Sequence, residues 1–368
     1  MTNEPNKKEP NKNVLKQIKP VRVILPTLLG IGVVVYLLMR DFHPELFNIL
    51  SFSWGVIIMM IFAFLMMFTR DFGYILRLRI LSEKSFSWKQ SFRIIMLWEF
   101  ASTVTPSAIG GTGLATYFLW KEGFSAGKSA SVVMATSFLD ELYFALMFPI
   151  LFFVFYKSGL FVTDSGNILD NRYFFFAIAG YSLKLTWCLI MAYALFIKPK
   201  SIKRILLGIF KLKILKKWKN GAQKAGDDII MASDELKTKS IKFWLKAFTA
   251  TFFSWTARYW VLNFLLLSLA FGLPNLSVGN LFTVSEHFLI FARQLVMWIM
   301  MMVMPTPGGS GFVEVMFSSY MADIIPVAGF MGLMVMMWRL VTYYPYLFLG
   351  IIIAPRWLSR KRKTQINN

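Results

Sequence analysis

Two proline- and glycine-rich interruptions inside apolar sequence constrain this chain more than any other feature. The first runs from Thr105 to Gly113 as TPSAIGGTG, and the second from Met304 to Gly311 as MPTPGGSG. Glycine and proline are the residues least able to continue a helix, and hydrocarbon offers no water to the backbone groups they release. Unwound backbone persists at membrane depth only where protein or a wet cavity surrounds it, as in the broken helices of transporters. The pair of breaks therefore predicts a polar site within a bilayer.

The membrane assignment follows from the sequence around the breaks. Apolar residues make up 57% of the 368 and aromatic residues 17%. Apolar runs of about 20 residues, long enough to cross hydrocarbon, recur along the chain. The net charge of +21 is concentrated in the segments between those runs. That distribution reads as positive-inside topology and contact with anionic headgroups, not as a nucleic-acid surface. The lone Cys188 allows no intrachain disulfide, and His43 and His287 form no cluster with it. No metal or cofactor is expected from such a set.

Full spans are expected at about 21–40, 54–69, 129–156, 173–197, 244–270 and 328–354. The segments 1–22, 70–93, 198–246 and 356–363 are rich in Lys and Arg and belong in the cytoplasm, whereas 41–53, 157–172 and 271–280 belong outside. Both termini are then expected on the cytoplasmic side of the cell membrane. The polar residues 1–20, a single membrane domain over 21–355 and a basic tail over 356–368 are the expected divisions. The linker 198–246 carries fourteen Lys and Arg against four acids, and Ile202, Ile205, Leu206 and Ile209 share one helical face. Part of it is expected to lie on the inner leaflet.

This topology makes the first break a re-entrant hairpin from the inside and the second a re-entrant hairpin from the outside. The run 281–304 is also long enough to cross, which would give eight spans with the same ends. An offset of 198, from Gly110 to Gly308, aligns the two breaks and carries Glu141 onto Arg339. The expected fold is therefore all-α and polytopic, with six spans and two re-entrant hairpins in an inverted repeat, an arrangement common in secondary transporters.

The breaks supply one set of candidate site residues. Thr112 and Ser310 are good N-cap residues for helices at about 113–120 and 312–323, whose positive ends suit a phosphate. Pro106, Pro305 and Pro307 interrupt the helices, while Gly110, Gly111, Gly113, Gly308, Gly309 and Gly311 permit close approach of a headgroup. Charges at membrane depth supply the other set, since each costs at least about 2.5–3.5 kcal/mol at the bilayer centre. Glu99, Asp140, Glu141, Lys184, Arg258, Glu286, Arg293, Glu314 and Arg339 qualify. Lys184 is expected to snorkel, and Glu314 to pair with Arg339. Thr116 stands where the repeat places Glu314, so Glu141 needs Arg293 or Arg258 as its partner. Asp140, Glu141 and Glu286 are expected to engage a cationic group or a coupling proton. Arg293 and Arg339 would neutralise them or bind an anion.

Other chemistries fit less well. Gly308-Gly309-Ser310-Gly311 matches the G-x-S-G of rhomboid proteases, but those place the partner histidine on a later helix, and His287 precedes Ser310. A lipid-modifying enzyme using Asp140 and Glu286 as acid and base, or a non-transporting scaffold, are the remaining alternatives. No Walker-type nucleotide loop is present.

The run Pro305-Thr306-Pro307-Gly308-Gly309-Ser310-Gly311-Phe312-Val313-Glu314, followed by Arg339 to Tyr343, resembles the second signature of the lysylphosphatidylglycerol synthase transmembrane-region family, also called flippase-like. Thr105-Pro106 to Gly110-Gly111, Tyr117 to Lys121 and Gly123 are similar to its first signature, and the resemblance covers roughly 20–355. It implies translocation of a polar or phosphate-containing lipid, with signature roles for Pro307, Gly308, Gly309, Gly311, Glu314, Arg339 and Tyr343. The chain ends at Asn368 without the soluble aminoacyl-transferase domain of bifunctional members, so the resemblance implies flipping without synthesis. The expected partners are membrane lipids with an anionic or phosphate-containing headgroup, and homo-oligomerisation stays open.

Overall fold

The architecture comes from a computed structural model. Apart from isolated positions between 32 and 48, it describes residues 50–105, 107–161, 171–211, 219–273, 283–301, 311–325 and 328–360, with side chains undescribed over 107–112. Among the described residues the secondary structure is helical, with no strand. Of the expected span 21–40 only Gly32, Val35, Tyr36 and Met39 are described, all helical.

Twelve α-helices are described: α1 Trp54–Leu81, α2 Trp88–Val104, α3 Ser107–Lys121, α4 Ala126–Phe155, α5 Arg172–Ala192, α6 Pro199–Ile209, α7 Lys219–Leu236, α8 Ile241–Phe271, α9 Val284–Met301, α10 Phe312–Tyr320, α11 Met331–Thr342 and α12 Tyr344–Leu358. A π-helical turn, Tyr193–Ile197, extends α5. Trp54–Leu81, Ala126–Phe155, Arg172–Ile197, Val284–Met301 and Met331–Leu358 are long and apolar enough to cross a membrane. The chain is a multi-pass membrane protein. Helix α8 is not among those five, being diluted by Arg258, Asn263 and several hydroxyl residues, yet it lies antiparallel along α1. The Ser53 hydroxyl donates to the Phe271 carbonyl at one end of that pair, and Lys239 bonds Glu83 at the other.

Helix α1 corrects one expectation. It continues to Leu81 and takes in Arg70 and Arg77, which had been expected in a cytoplasmic loop. The physical reason is tertiary: Glu99 and Asp140, on α2 and α4, neutralise these guanidinium groups inside the bundle.

The first break forms an antiparallel helical hairpin. Ser87 starts α2 with a capping box to Gln90. Thr105 ends it in extended conformation, φ −105 and ψ 143. That is the backbone a residue before proline is driven to adopt. Helix α3 then returns until Glu122 meets Arg93 (Nε to Oε1, 2.9 Å) and Phe124 stacks on Phe86 at 4.3 Å. At 17 and 15 residues, α2 and α3 are about 22–26 Å long, short of a full crossing.

Helices α9 and α10 form the second hairpin. Helix α9 runs antiparallel to α8, from His287 beside Asn263 to Trp298 beside Trp255. Helix α10 returns until Asp323 and the Tyr320 carbonyl face Arg293. The two hairpins open at opposite ends of α4. Lys128, in the first turn of α4, lies over the Phe124 ring at the mouth of the first. Just beyond the end of α4, Gly159 and Leu160 accept from Arg293 Nε (2.8 Å) and the Tyr320 hydroxyl (2.6 Å) at the mouth of the second.

Helix α6 lies in the basic linker. It exposes Ile205 and Ile209, while Lys203 on its other side packs against Gly226 of α7.

Close packing at membrane depth depends on a few small residues. A Cβ added to Gly73 would collide with the Ser254 hydroxyl and lie 3.0 Å from the Ala250 carbonyl oxygen, on the facing helix α8. Gly73→Ala is expected to lower stability by about 1–3 kcal/mol in thermal unfolding of the detergent-solubilised chain. Gly208→Ala faces open space and should melt like the native chain. Equal melting of both variants would show that α1 and α8 are not held this closely.

Candidate functional site

The two breaks converge on one turn of the last span. Helix α10 begins at Gly311, whose φ of 85 lies in the left-handed region where glycine is favoured. Its N–H donates to Glu314 Oε2 at 2.7 Å. The other oxygen, Oε1, accepts from Arg339 Nε at 2.9 Å, while Nη2 of Arg339 lies equally close but without hydrogen-bond geometry. The Arg339 guanidinium covers the Tyr343 ring at 4.6 Å, and the Tyr343 hydroxyl donates to the Thr103 carbonyl at the end of α2. A continuous relay, Glu314–Arg339–Tyr343–Thr103, thus links the start of α10 to the end of α2. Tyr343 also separates α11 from α12, with Pro345 in the first turn of the latter.

Beside this relay lies a second network. Arg70, Tyr74 and Arg77 share one face of α1 at i, i+4 and i+7. Arg70 pairs with Glu99 of α2 and with Asp71, whose carboxylate also accepts the Tyr346 hydroxyl at 2.9 Å. Arg77 pairs with Asp140 and donates to the Thr251 hydroxyl at 3.1 Å. Asp140 accepts in addition from Trp255 Nε1 at 2.7 Å. Both guanidinium groups stack on the Tyr74 ring, at 4.6 and 4.7 Å. On the other side of α4, Glu141 pairs with Lys184 of α5 at 3.0 Å. Arg70, Arg77, Lys184, Arg293 and Arg339 are each at most 4% exposed.

These positions meet the sequence expectations unevenly. Glu314 and Arg339 form the expected pair. Lys184 does not snorkel: it is buried over the Phe144 ring at 4.1 Å and supplies the partner of Glu141. Arg293 instead serves the second hairpin, and Arg258 makes no ion pair among the described residues. Thr112 is no N-cap, because α3 begins at Ser107 and runs through Gly110, Gly111 and Gly113. The first break therefore sits at Thr105 and not in the glycines. Gly311 caps α10 in place of Ser310, and that helix ends at Tyr320, short of the expected 323. Glu286 is exposed at the start of α9, where it accepts from the Thr283 N–H at 2.6 Å. It lies about 18 Å along that helix from Trp298, a neighbour of Trp255 in the Asp140 network. Pro106, Pro305, Pro307, Gly308, Gly309 and Ser310 fall outside the described residues.

Sequence reading missed Arg70, Asp71, Arg77, Tyr346 and Trp255. The spacing of Arg70, Tyr74 and Arg77 on one helical face was the available signal, hidden by placing them in a loop.

If the Glu314–Arg339 pair holds the breaks together, breaking either half should be costly. Glu314→Gln or Arg339→Gln alone should lose about 3–5 kcal/mol, because each leaves a buried charge without its counter-ion. The double variant should lose clearly less than the sum of the two. Strictly additive losses in detergent unfolding would show that the two side chains do not act together.

Comparison with known proteins agrees with this architecture. The family model described as the lysylphosphatidylglycerol synthase TM region matches residues 23–350. A protein named UPF0104 membrane protein, from Archaeoglobus fulgidus, is 27% identical over 316 residues, covering 82% of this chain and 88% of that relative. No solved structure matches. Because the match takes in nearly the whole membrane domain, both breaks included, the chain belongs to the lysylphosphatidylglycerol synthase transmembrane-region family.

Proposed function

We propose that this protein moves a polar or phosphate-containing lipid between the leaflets of the cytoplasmic membrane. The headgroup follows a polar path beside the helix breaks while the acyl chains stay in the bilayer. The observation that carries this reading is a one-sided openness in the charged network. The side chains of Asp71, Glu99, Asp140 and Glu141 are 19%, 17%, 23% and 12% exposed, against 3–5% for the Arg70, Arg77 and Lys184 cations they pair with. Ion pairs serving packing alone have no reason to turn every carboxylate toward open space at this depth, where an unscreened charge is expensive. Carboxylates that must meet a passing ammonium group or a proton do.

The hairpins support the same reading. Each is too short or too early in its return to serve as an ordinary antiparallel pair of spans. With mouths at opposite ends of α4, they fit re-entrant segments of opposite direction, the arrangement in which unwound backbone lines a central site. The cargo classes that suit the open carboxylates are an aminoacylated phospholipid, which carries a cationic amine, and a polyprenyl-linked or glycolipid with a hydroxyl-rich headgroup. Without a nucleotide loop, movement is downhill or driven by an ion gradient.

The test is headgroup accessibility in proteoliposomes carrying fluorescent phosphatidylglycerol, read by quenching from outside. The native chain should speed equilibration over protein-free vesicles, and Asp140→Asn or Glu141→Gln should slow it about tenfold, the scale of one charge-assisted hydrogen bond. Equilibration no faster than in empty vesicles would end the proposal, and a new lipid product on thin-layer analysis would turn it toward the enzyme alternative.

A further inference from the structure

The sequence suggested that helix N-termini hold the lipid phosphate, but a carboxylate already occupies the start of α10, where Glu314 takes the Gly311 N–H. The anion must be met elsewhere, and among the described residues Arg258 is a mid-helix cation with no ion-pair partner. Arg258 sits near the midpoint of the 31-residue α8. It makes no hydrogen bond or ion pair among the described residues. Its guanidinium instead lies over the Trp298 ring at 4.6 Å and near Trp255 at 5.9 Å. Trp298 is three residues from the end of α9, beside the second break.

Its surroundings are rich in unused donors. Trp255, beside the Arg258 guanidinium, stacks on Tyr259 at 5.9 Å and meets Tyr74 edge-on at 6.2 Å, and Tyr74 in turn carries Arg70 over its ring at 4.6 Å. In that set, Arg70 Nε and the Tyr259 hydroxyl are buried without a hydrogen-bond partner, and Tyr259 is only 2% exposed. The other buried side-chain atoms left without a partner among the described residues are Ser91 Oγ, Asn263 Nδ2 and Arg339 Nη2. Every one of these is able to donate, and no carboxylate or amide oxygen is left wanting. An interior with spare donors and no spare acceptors is completed by an anion. A spare guanidinium near its centre favours one with oxygens arranged for a bidentate fork.

We propose that Arg258, assisted by the Tyr259 hydroxyl and Arg70 Nε, is the binding site for the phosphate of a phospholipid headgroup at mid-membrane. This rests on the translocation reading and assigns to it the residue that carries the anionic half of the cargo. The aromatic faces of Trp298 and Trp255 hold the guanidinium in place without neutralising it, so its charge remains available. The open carboxylates on α1, α2 and α4 then face whatever cationic or hydroxyl group lies beyond the phosphate.

The experiment is calorimetric binding to the full chain in neutral detergent, with three probes: dioctanoyl phosphatidylglycerol, dioctanoylglycerol and inorganic phosphate. The native chain should bind the phospholipid. Arg258→Gln should weaken that binding at least about tenfold, the loss of one charge-assisted contact. Arg258→Lys should fall between the two, and Arg172→Gln, an exposed cation at the start of α5, should bind as the native chain does. Without lipid, Arg258→Gln should melt no lower than the native chain, since removing an unpaired charge costs no partner.

Undiminished binding by Arg258→Gln, equal binding of dioctanoylglycerol, or a lower lipid-free melting temperature in that variant would each overturn the assignment. Inorganic phosphate binding as tightly as the phospholipid would make this a free-anion site and overturn the lipid assignment. Failure here is separable from failure of translocation. A native chain that equilibrates lipid in proteoliposomes but loses nothing with Arg258→Gln keeps the transport reading and loses only this site. A chain that binds through Arg258 but moves no lipid does the reverse.

Discussion

The relay Glu314–Arg339–Tyr343–Thr103 is the contact on which the rest of the interior depends. A helix that ends at membrane depth leaves backbone carbonyls and N–H groups that no water satisfies. The relay answers these groups from one turn of the last span. The Tyr343 hydroxyl takes the Thr103 carbonyl near the end of α2, and the Glu314 carboxylate takes the Gly311 N–H at the start of α10. Arg339 joins the two by pairing with the carboxylate and stacking on the ring. Interrupting the last span at Tyr343 is part of the same solution, because it lets the Arg339 and Tyr343 side chains serve opposite hairpins.

The charges follow a different logic from the relay. Glu314 and Arg339 are 1% and 5% exposed as side chains, a closed pair that behaves as structure. The α1–α4 network is closed on its cationic side and open on its anionic side. Arg70 and Arg77 are fixed by stacking on Tyr74 as well as by pairing, and Asp140 and Asp71 are held in addition by Trp255 and Tyr346. Under the proposed function, a headgroup would approach Asp140 or Glu141 from the side opposite its buried cation. The network's carboxylates are thus partly open while their cations are buried, whereas the relay is closed on both sides.

The fold was legible in the sequence because apolar runs, Lys and Arg placement and helix breakers act at the scale of whole helices. The position of the first break was not. Glycine costs only about 1 kcal/mol in a helix, and α3 runs through Gly110, Gly111 and Gly113 without interruption. Proline acts on the residue before it through a hard steric clash, so Thr105 and not the glycines ends α2. Glu314 and Arg339 were legible as a pair because Glu314 follows the second break by one turn and Arg339 lies in the next span. The partners of Glu99, Asp140 and Glu141 were not, because Arg70 and Arg77 had been read as loop residues and Lys184 as snorkelling. Charge alone does not say which of several cations a carboxylate meets. Placing Arg70 and Arg77 in a loop by the positive-inside rule hid the i, i+4, i+7 face that would have marked them as interior.

The proposed inverted repeat also explains why the two halves differ in charge. Aligning the breaks sets Thr116 against Glu314 and Glu141 against Arg339, so the second half carries its own ion pair where the first carries one unmatched acid. That acid turns outward to Lys184 on α5, leaving the end of α2 to be bridged by the neutral Tyr343. A symmetric charge pattern would close both halves with self-contained pairs and leave nothing for a headgroup to meet. On the proposed repeat, the second half closes on its own Glu314–Arg339 pair, whereas the acid of the first half takes its cation from α5, outside the aligned positions. The guanidinium of Arg258 lies over Trp298 near the end of α9 and near Trp255, whose indole N–H donates to Asp140 of the α1–α4 network.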